Sequence, residues 1–187
     1  MIVVNDSQEK IPKRMLIILA AIEVMRELGG EQLTLELVAK RAGVSKGGLL
    51  YHFPSKEALV NGVVESLTNS FESDLEKRIG EDQTRTGRWS RAYIESTFDD
   101  NGVGNDVGPV LASALYLNPE SLNGIRSAYE EWQRKIENDG LDPVQSTIAR
   151  LAADGLWIAE MFGLAPPDKE LKQRVREALL QFTKEGN

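Results

Sequence analysis

The 187-residue chain has no cysteine and one histidine, His52. The first absence excludes disulfides, thiolate nucleophiles and cysteine-based zinc sites, and it suits a reducing cytoplasm. The second ties any Ser-His-Asp triad, histidine general base or histidine-rich metal site to the surroundings of His52. No run of about 18 apolar residues occurs, so no membrane span is expected. The opening MIVVNDSQEK is too short and too polar to read as a signal peptide. Phosphate-cradling loops are missing as well. Neither G-x-G-x-x-G nor a Walker-type string is present, and no Lys-Ser/Thr follows Gly102, Gly104 or Gly108. Neither metal nor cofactor is expected. Carboxylates are plentiful, but with 29 acids adjacent pairs arise by chance. Asp99-Asp100 and Glu130-Glu131 therefore read as solvated surface rather than as an acid–base pair.

What is present describes a soluble globular chain: 41% hydrophobic and 27% charged residues, with a formal net charge of −7. That charge alone argues against a nucleic-acid partner, but its distribution is uneven. Residues 1–56 hold eight Lys/Arg against six Asp/Glu, a net of +2, and the remainder carries −9. A mildly basic head on an acidic body can orient a protein on DNA, although ordinary surface variation would look the same.

Apolar spacing predicts helices nearly throughout. Ile11, Met15, Ile18, Leu19, Ile22 and Met25 mark a helix over 9–29, ended by Gly29-Gly30. Thr34 is an N-cap or first-turn residue of a short segment, 34–41, with Leu35, Val38, Ala39 and Ala42 on one face. Ser45 caps 46–52, which Phe53-Pro54 stops. Ser55 opens a long helix to about residue 79, with Leu59, Val63, Leu67, Phe71 and Leu75 as its buried stripe. Helices over 86–98 and 109–117 flank a Gly/Asp/Asn-rich loop at 99–109. Asn118-Pro119, Asp142-Pro143 and Pro166-Pro167-Asp168 start three more, ending near residues 138, 162 and 184. No strand-like alternation appears. The fold class expected is all-α with about nine helices. It divides into an N-terminal three-helix domain over 1–56 and a C-terminal helical bundle over 57–187.

The segment 33–54 has the order helix, turn, helix. Ala39 is small where two helices must approach, and Gly43 supplies the turn. Val44 and Leu49 plug the gap between the helices. In a helix-turn-helix the second helix enters the major groove by its N-terminal residues, here Ser45, Lys46, Gly47 and Gly48. Glycines at 47 and 48 weaken a helix but let backbone approach DNA. A flexible turn between two packed helices would give the same outline.

The full string is more specific. GVSKGGLLYHFPSKEAL, residues 43–59, resembles the signature of the tetracycline-repressor (TetR/AcrR) family. That signature runs Gly-Val-Ser-x-Gly-x-Leu-Tyr-x-His-Phe-x-x-Lys-x-x-Leu or near it. Thr34 to Ala42 matches the preceding segment, and Ile17 to Glu23 followed by Gly29 resembles the first helix. The resemblance covers about residues 12–62. Leu50 stands where many members carry an aromatic residue, so that position offers no hydroxyl. The resemblance implies a DNA-binding regulator and no enzyme. Its DNA contacts fall on Thr34, Ser45, Lys46, Gly47, Gly48, Tyr51, His52 and Lys56. Lys46 would reach a base edge or a phosphate. The Gly48 N–H, the Tyr51 hydroxyl and a His52 ring N–H would meet phosphate. Thr34 and Lys56 sit at helix starts that favour an anion. Ser45 and Lys46, with Thr34 or Gly47, would carry sequence choice.

For the second half the resemblance implies a small-molecule effector and a homodimer through the last two helices, with double-stranded operator DNA as partner, no membrane and a cytoplasmic location. Ile148, Leu151, Ala152, Gly155, Leu156 and Ala159 form a stripe that permits close helix contact, and Leu171, Val175, Ala178, Leu179 and Phe182 follow similar spacing. Packing within one subunit is the alternative. The aromatic residues Trp89, Tyr93, Phe98, Tyr116, Tyr129, Trp132 and Trp157 are the candidate pocket, which favours a mostly apolar or aromatic effector. Two other readings remain at this point. One is a constitutive regulator whose body only dimerises; the other is an enzyme or carrier built on a helical bundle.

Overall fold

The computed structural model describes residues 11–99 and 107–184. These form nine α-helices, with no strand among the described residues. The first helix, α1 (Lys13–Leu28), begins later than the sequence suggests. Its N-cap Pro12 has ψ of 141°, which is extended; residues 9 and 10 lie outside the described residues. The buried face also differs from expectation. Ile17, Ile18, Ala20, Ala21, Val24 and Met25 point inward, while Ile11, Met15 and Leu19 are exposed. Apolar residues occur on more than one side of this helix, and the alanine-bearing side faces the neighbours because it permits closer approach.

Three hydroxyl caps set the next three helices. Thr34 accepts from the Leu37 N–H at 3.2 Å and starts α2 (Leu35–Arg41). Ser45 accepts from the Gly48 N–H at 3.1 Å and starts α3 (Lys46–His52). Ser55 accepts from the Ala58 N–H at 3.1 Å and starts α4 (Lys56–Glu81). Each cap satisfies one of the orphan N–H groups of a helix start. Between α2 and α3 the chain reverses at Gly43, whose φ of +66° is left-handed.

The body contains α5 (Arg88–Phe98), α6 (Val107–Leu117), α7 (Leu122–Glu137), α8 (Pro143–Phe162) and α9 (Lys169–Gln181). The loop expected over 99–109 lies largely outside the described residues, and its last three residues open α6. Asn118-Pro119 starts a 3-10 turn, Pro119–Ser121, ahead of α7 rather than α7 itself. Asp142 and Asp168 cap α8 and α9 as the sequence suggests.

Two hydrophobic cores follow. One unites α1, α2 and α3 with the first half of α4 and with Val110 and Ala114 of α6. The other joins Leu75 of α4 to Tyr93, Ile94, Trp132, Ala153 and Leu179 of the body helices. The 26-residue helix α4 contributes to both cores. Gly30, after α1, also donates its N–H to Ser113 Oγ of α6 at 3.1 Å.

The last two helices correct the expected stripe in part. Leu156 is 7% exposed and Leu179 6%, so both belong to their own subunit's core. Outward-facing apolar residues on α8 are Val144, Ile148, Leu151, Ile158 and Phe162; on α9 Leu171 faces outward, as does Phe182 at its C-cap. Ala152, Gly155 and Ala178 are exposed among them, whereas Ala159 and Val175 are half-buried.

Candidate nucleic-acid interface and body cavity

The short helix α3 is anchored by Leu49 and followed by the buried Phe53, which are 0% and 3% exposed. With these two positions turned inward, Ser45, Lys46, Gly47, Leu50 and Tyr51 face outward. Tyr51 is 85% exposed, and its ring meets the His52 ring edge-on at 5.1 Å. His52, Gly48 and Lys56 are half-buried, and Thr34 is exposed at the start of α2. A Cβ at Gly47 would meet nothing within 4 Å, so open space lies on the outer side of the helix there.

Two expectations change in the free protein. The Gly48 N–H is engaged by the Ser45 cap, so a phosphate would have to share it. Lys46 Nζ is paired with Glu36 of α2. That hydrogen bond holds the Glu36 carboxyl below the usual carboxylate range. The pair is exposed on both sides, and exposed pairs exchange partners readily. Thr34 and Ser45 each spend an acceptor lone pair on their caps, which leaves each hydroxyl proton to donate elsewhere. Behind this surface, Arg41 is held by Glu27 at 2.9 Å and Glu23 at 3.5 Å.

A cavity opens in the body between α4, α5, α6, α7 and α8. Helix α4 lines it with Val64, Leu67, Thr68 and Phe71, and α6 adds Leu111. Tyr93, Ser96 and Thr97 come from α5, and Ile125, Tyr129 and Trp132 from α7. Asp154 and Trp157 of α8 complete the wall. Four of the seven aromatics singled out from the sequence thus meet here: Tyr93, Tyr129, Trp132 and Trp157. The other three do not line the cavity. Trp89 lies under Lys135, whose Nζ is 4.4 Å from its ring centroid, in a separate basic cleft with Arg85, Arg88 and Arg134. Phe98 is core, and Tyr116 is 73% exposed. Aromatic identity carries no direction, so the helix faces had to be known before pocket residues could be separated from core.

Asp154 is a wall residue that aromatic content and helical spacing do not single out. It is an acid inside the apolar stretch of α8, and that mismatch was the available signal. The Tyr93 hydroxyl donates to its Oδ1 at 2.5 Å, and Arg150 donates to its Oδ2 at 2.6 Å. Burial pushes the Asp154 carboxyl up, against the lowering effect of Tyr93 and Arg150. Among the described residues no group of three or more His, Asp or Glu side chains is placed to hold a metal ion. None of the described helices is long and apolar enough to cross a membrane.

Comparison with known proteins finds family matches in both halves of the chain. Residues 17–63 match the model for bacterial regulatory proteins of the tetR family. Residues 87–184 match the tetracyclin repressor-like C-terminal domain. The chain is 23% identical to the HTH-type transcriptional regulator BetI of Escherichia coli over 173 residues, covering 85% of this chain and 87% of BetI. The regulator RutR of Escherichia coli is 44% identical over 55 residues, 29% of this chain and 26% of RutR. Among solved structures, a transcriptional regulator from Rhodococcus sp. superposes with a TM-score of 0.70 at 19% identity, covering 92% of this chain and 96% of that one. The multidrug binding protein EbrR, complexed with malachite green, superposes with a TM-score of 0.61 at 21% identity over 91% and 98% of the two chains. An exposed recognition helix on a helical body, matched by family models across both halves, makes this chain a member of the TetR family of DNA-binding transcriptional regulators, a class without enzymatic activity.

Proposed function

We propose that the protein is a ligand-responsive repressor. A homodimer holds a pseudo-palindromic operator through two copies of α3 and releases it when a small, mostly apolar or aromatic effector enters the body cavity. Its working place is then the cytoplasm, where the operator lies. Ser45 and Lys46, with Thr34 or Gly47, read base edges. Tyr51, His52, Lys56 and the Gly48 backbone grip phosphates, which fix register without reading sequence. The exposed apolar residues of α8 and α9 form the dimer contact, and a two-fold axis there would present both heads to one DNA face.

The observation that carries this reading is the course of α4. It begins at Lys56, directly after the recognition unit, and lines the cavity with Val64, Leu67, Thr68 and Phe71. A head of residues 1–56 and a body of residues 57–187 are therefore joined by a rigid element that feels the effector. An effector that favours one tilt of α4 changes the spacing of the heads, and DNA must oppose the effector by the same coupling energy. EbrR, complexed with malachite green, shows that a protein of this fold can hold an aromatic molecule.

The test is operator selection from genomic fragments, followed by binding measurements on variants. Lys46→Ala is expected to weaken specific binding more than non-specific binding. Lys56→Ala is expected to weaken both about equally and to reduce the salt slope by about one ion. Wild-type affinity and salt slope in both variants would refute the assigned roles.

A further inference from the structure

We infer that the effector is an uncharged aromatic compound bearing a hydrogen-bond acceptor, such as an aryl ketone or lactone, received by Ser96 and Trp132. The inference rests on the body cavity being the effector site.

The cavity wall is mostly apolar and aromatic, and among its lining residues Asp154 alone carries a charge. That charge is already answered. Asp154 Oδ1 accepts from the hydroxyls of Tyr93 at 2.5 Å and Tyr129 at 3.5 Å, and Oδ2 accepts from Arg150 at 2.6 Å. The Arg150 side chain is as buried as its partner's, each being 15% exposed. A cation entering the cavity would give up water and find its counter-ion taken. An anion would face the carboxylate. Burial pushes the Tyr129 hydroxyl up to about 12 and Tyr93 well above its ordinary value, so both stay protonated at neutral pH. Their protons are directed to Asp154, so neither hydroxyl proton is left for a ligand.

Of the remaining hydroxyls in the wall, those of Thr68 and Thr97 donate to carbonyls of their own helices at 3.0 and 2.8 Å. Ser96 Oγ and Trp132 Nε1 are buried and have no hydrogen-bond partner among the described residues. Ser96 is 2% exposed and Trp132 4%. An indole N–H can only donate, and a hydroxyl can donate as well. A buried donor without an acceptor carries its full desolvation cost. A carbonyl oxygen on an aromatic body satisfies such a donor while the body covers Phe71 and Tyr129.

Four naphthalenes of similar size test this by equilibrium dialysis against the full-length protein: acetylnaphthalene, ethylnaphthalene, naphthoate and naphthylmethylammonium. The ketone is expected to bind about tenfold or more tightly than the hydrocarbon, because a site built to donate rejects the analogue that cannot accept. Both ions are expected to bind more weakly than the ketone. In Ser96→Ala, and separately in Trp132→Phe, the ketone-to-hydrocarbon ratio should fall toward one. Equal binding of ketone and hydrocarbon, preference for either ion, no binding by any of the four, or a full ratio in the Ser96→Ala protein would each overturn the inference. Operator binding is measured on the same preparations without probe. If wild type binds operator while the ketone shows no advantage, the regulatory reading stands and the acceptor reading falls. If wild type binds no operator, the failure belongs to the regulatory reading.

Discussion

Gly62, in the second turn of α4, owes its identity to one neighbour. A Cβ there would lie 2.5 Å from Phe53 Cε1. Phe53 is 3% exposed and sits at the end of α3, with the Arg14 guanidinium 5.3 Å from its ring centroid. Two effects compete in Gly62→Ala. Helix propensity favours alanine by about 1 kcal/mol, whereas overpacking a closed contact costs about 1–3 kcal/mol. Because Phe53 has little room to yield, loss is expected to win. Urea unfolding should show a decrease of about 1 kcal/mol, within the range for overpacked cores. A midpoint equal to or above wild type would mean that the ring moves freely. The same residue scale explains the altered picture of Lys46. Its charge and position were readable from the sequence, but its pairing with Glu36 depends on how α2 and α3 cross.

At the scale of elements, the end of α4 is tied to α5 and to the chain after α9 by Arg91. Its Nε donates to Asp82 at 2.6 Å, and its other nitrogens donate to the Thr84 and Thr183 carbonyls at 2.8 and 3.0 Å. The hydrogen bond from Arg91, helped by the Thr84 N–H, holds the Asp82 carboxyl below the usual carboxylate range. A depressed folded-state pKa contributes stability above the unfolded value, and that contribution disappears as pH falls through the folded one. Asp82→Asn is therefore expected to cost up to about 1 kcal/mol at neutral pH after allowance for solvent screening. The difference from wild type should shrink as pH drops below about 3.9, the unfolded carboxylate value. Thermal melts across that range check the sign. A gap that widened on acidification would contradict it.

At the scale of the whole molecule, the outward faces of α8 and α9 are the feature that one chain leaves open. Val144, Ile148, Leu151, Ile158 and Phe162 recur at spacings of three, four and seven, so they lie on one side of α8. Leu151 is 54% exposed and Ile148 50%, which is unusual for neighbouring large apolar residues of a monomer. Leu151→Glu is expected to convert a dimer into a monomer in sedimentation velocity while leaving the helical circular dichroism unchanged. Operator affinity should fall at least tenfold, since each half-site would then be held alone. Dimeric sedimentation of this variant would place the contact elsewhere.

The amino-acid sequence was enough for the helical class, for the caps Ser45, Ser55 and Asp142, and for the helix-turn-helix outline. All of these rest on interactions within a few positions along the chain, where spacing and residue type carry the information. It left undecided which side of α1 is buried, and which members of the α8 and α9 stripes turn inward. Four of seven chosen aromatics line the cavity, while Phe98 and Tyr116 fall on opposite sides of the burial divide. The pairing of Asp154 with Tyr93 spans 61 residues and that with Arg150 only four. Contacts of the first kind arise when separate helices are packed together, so the cavity wall exists only in the folded chain.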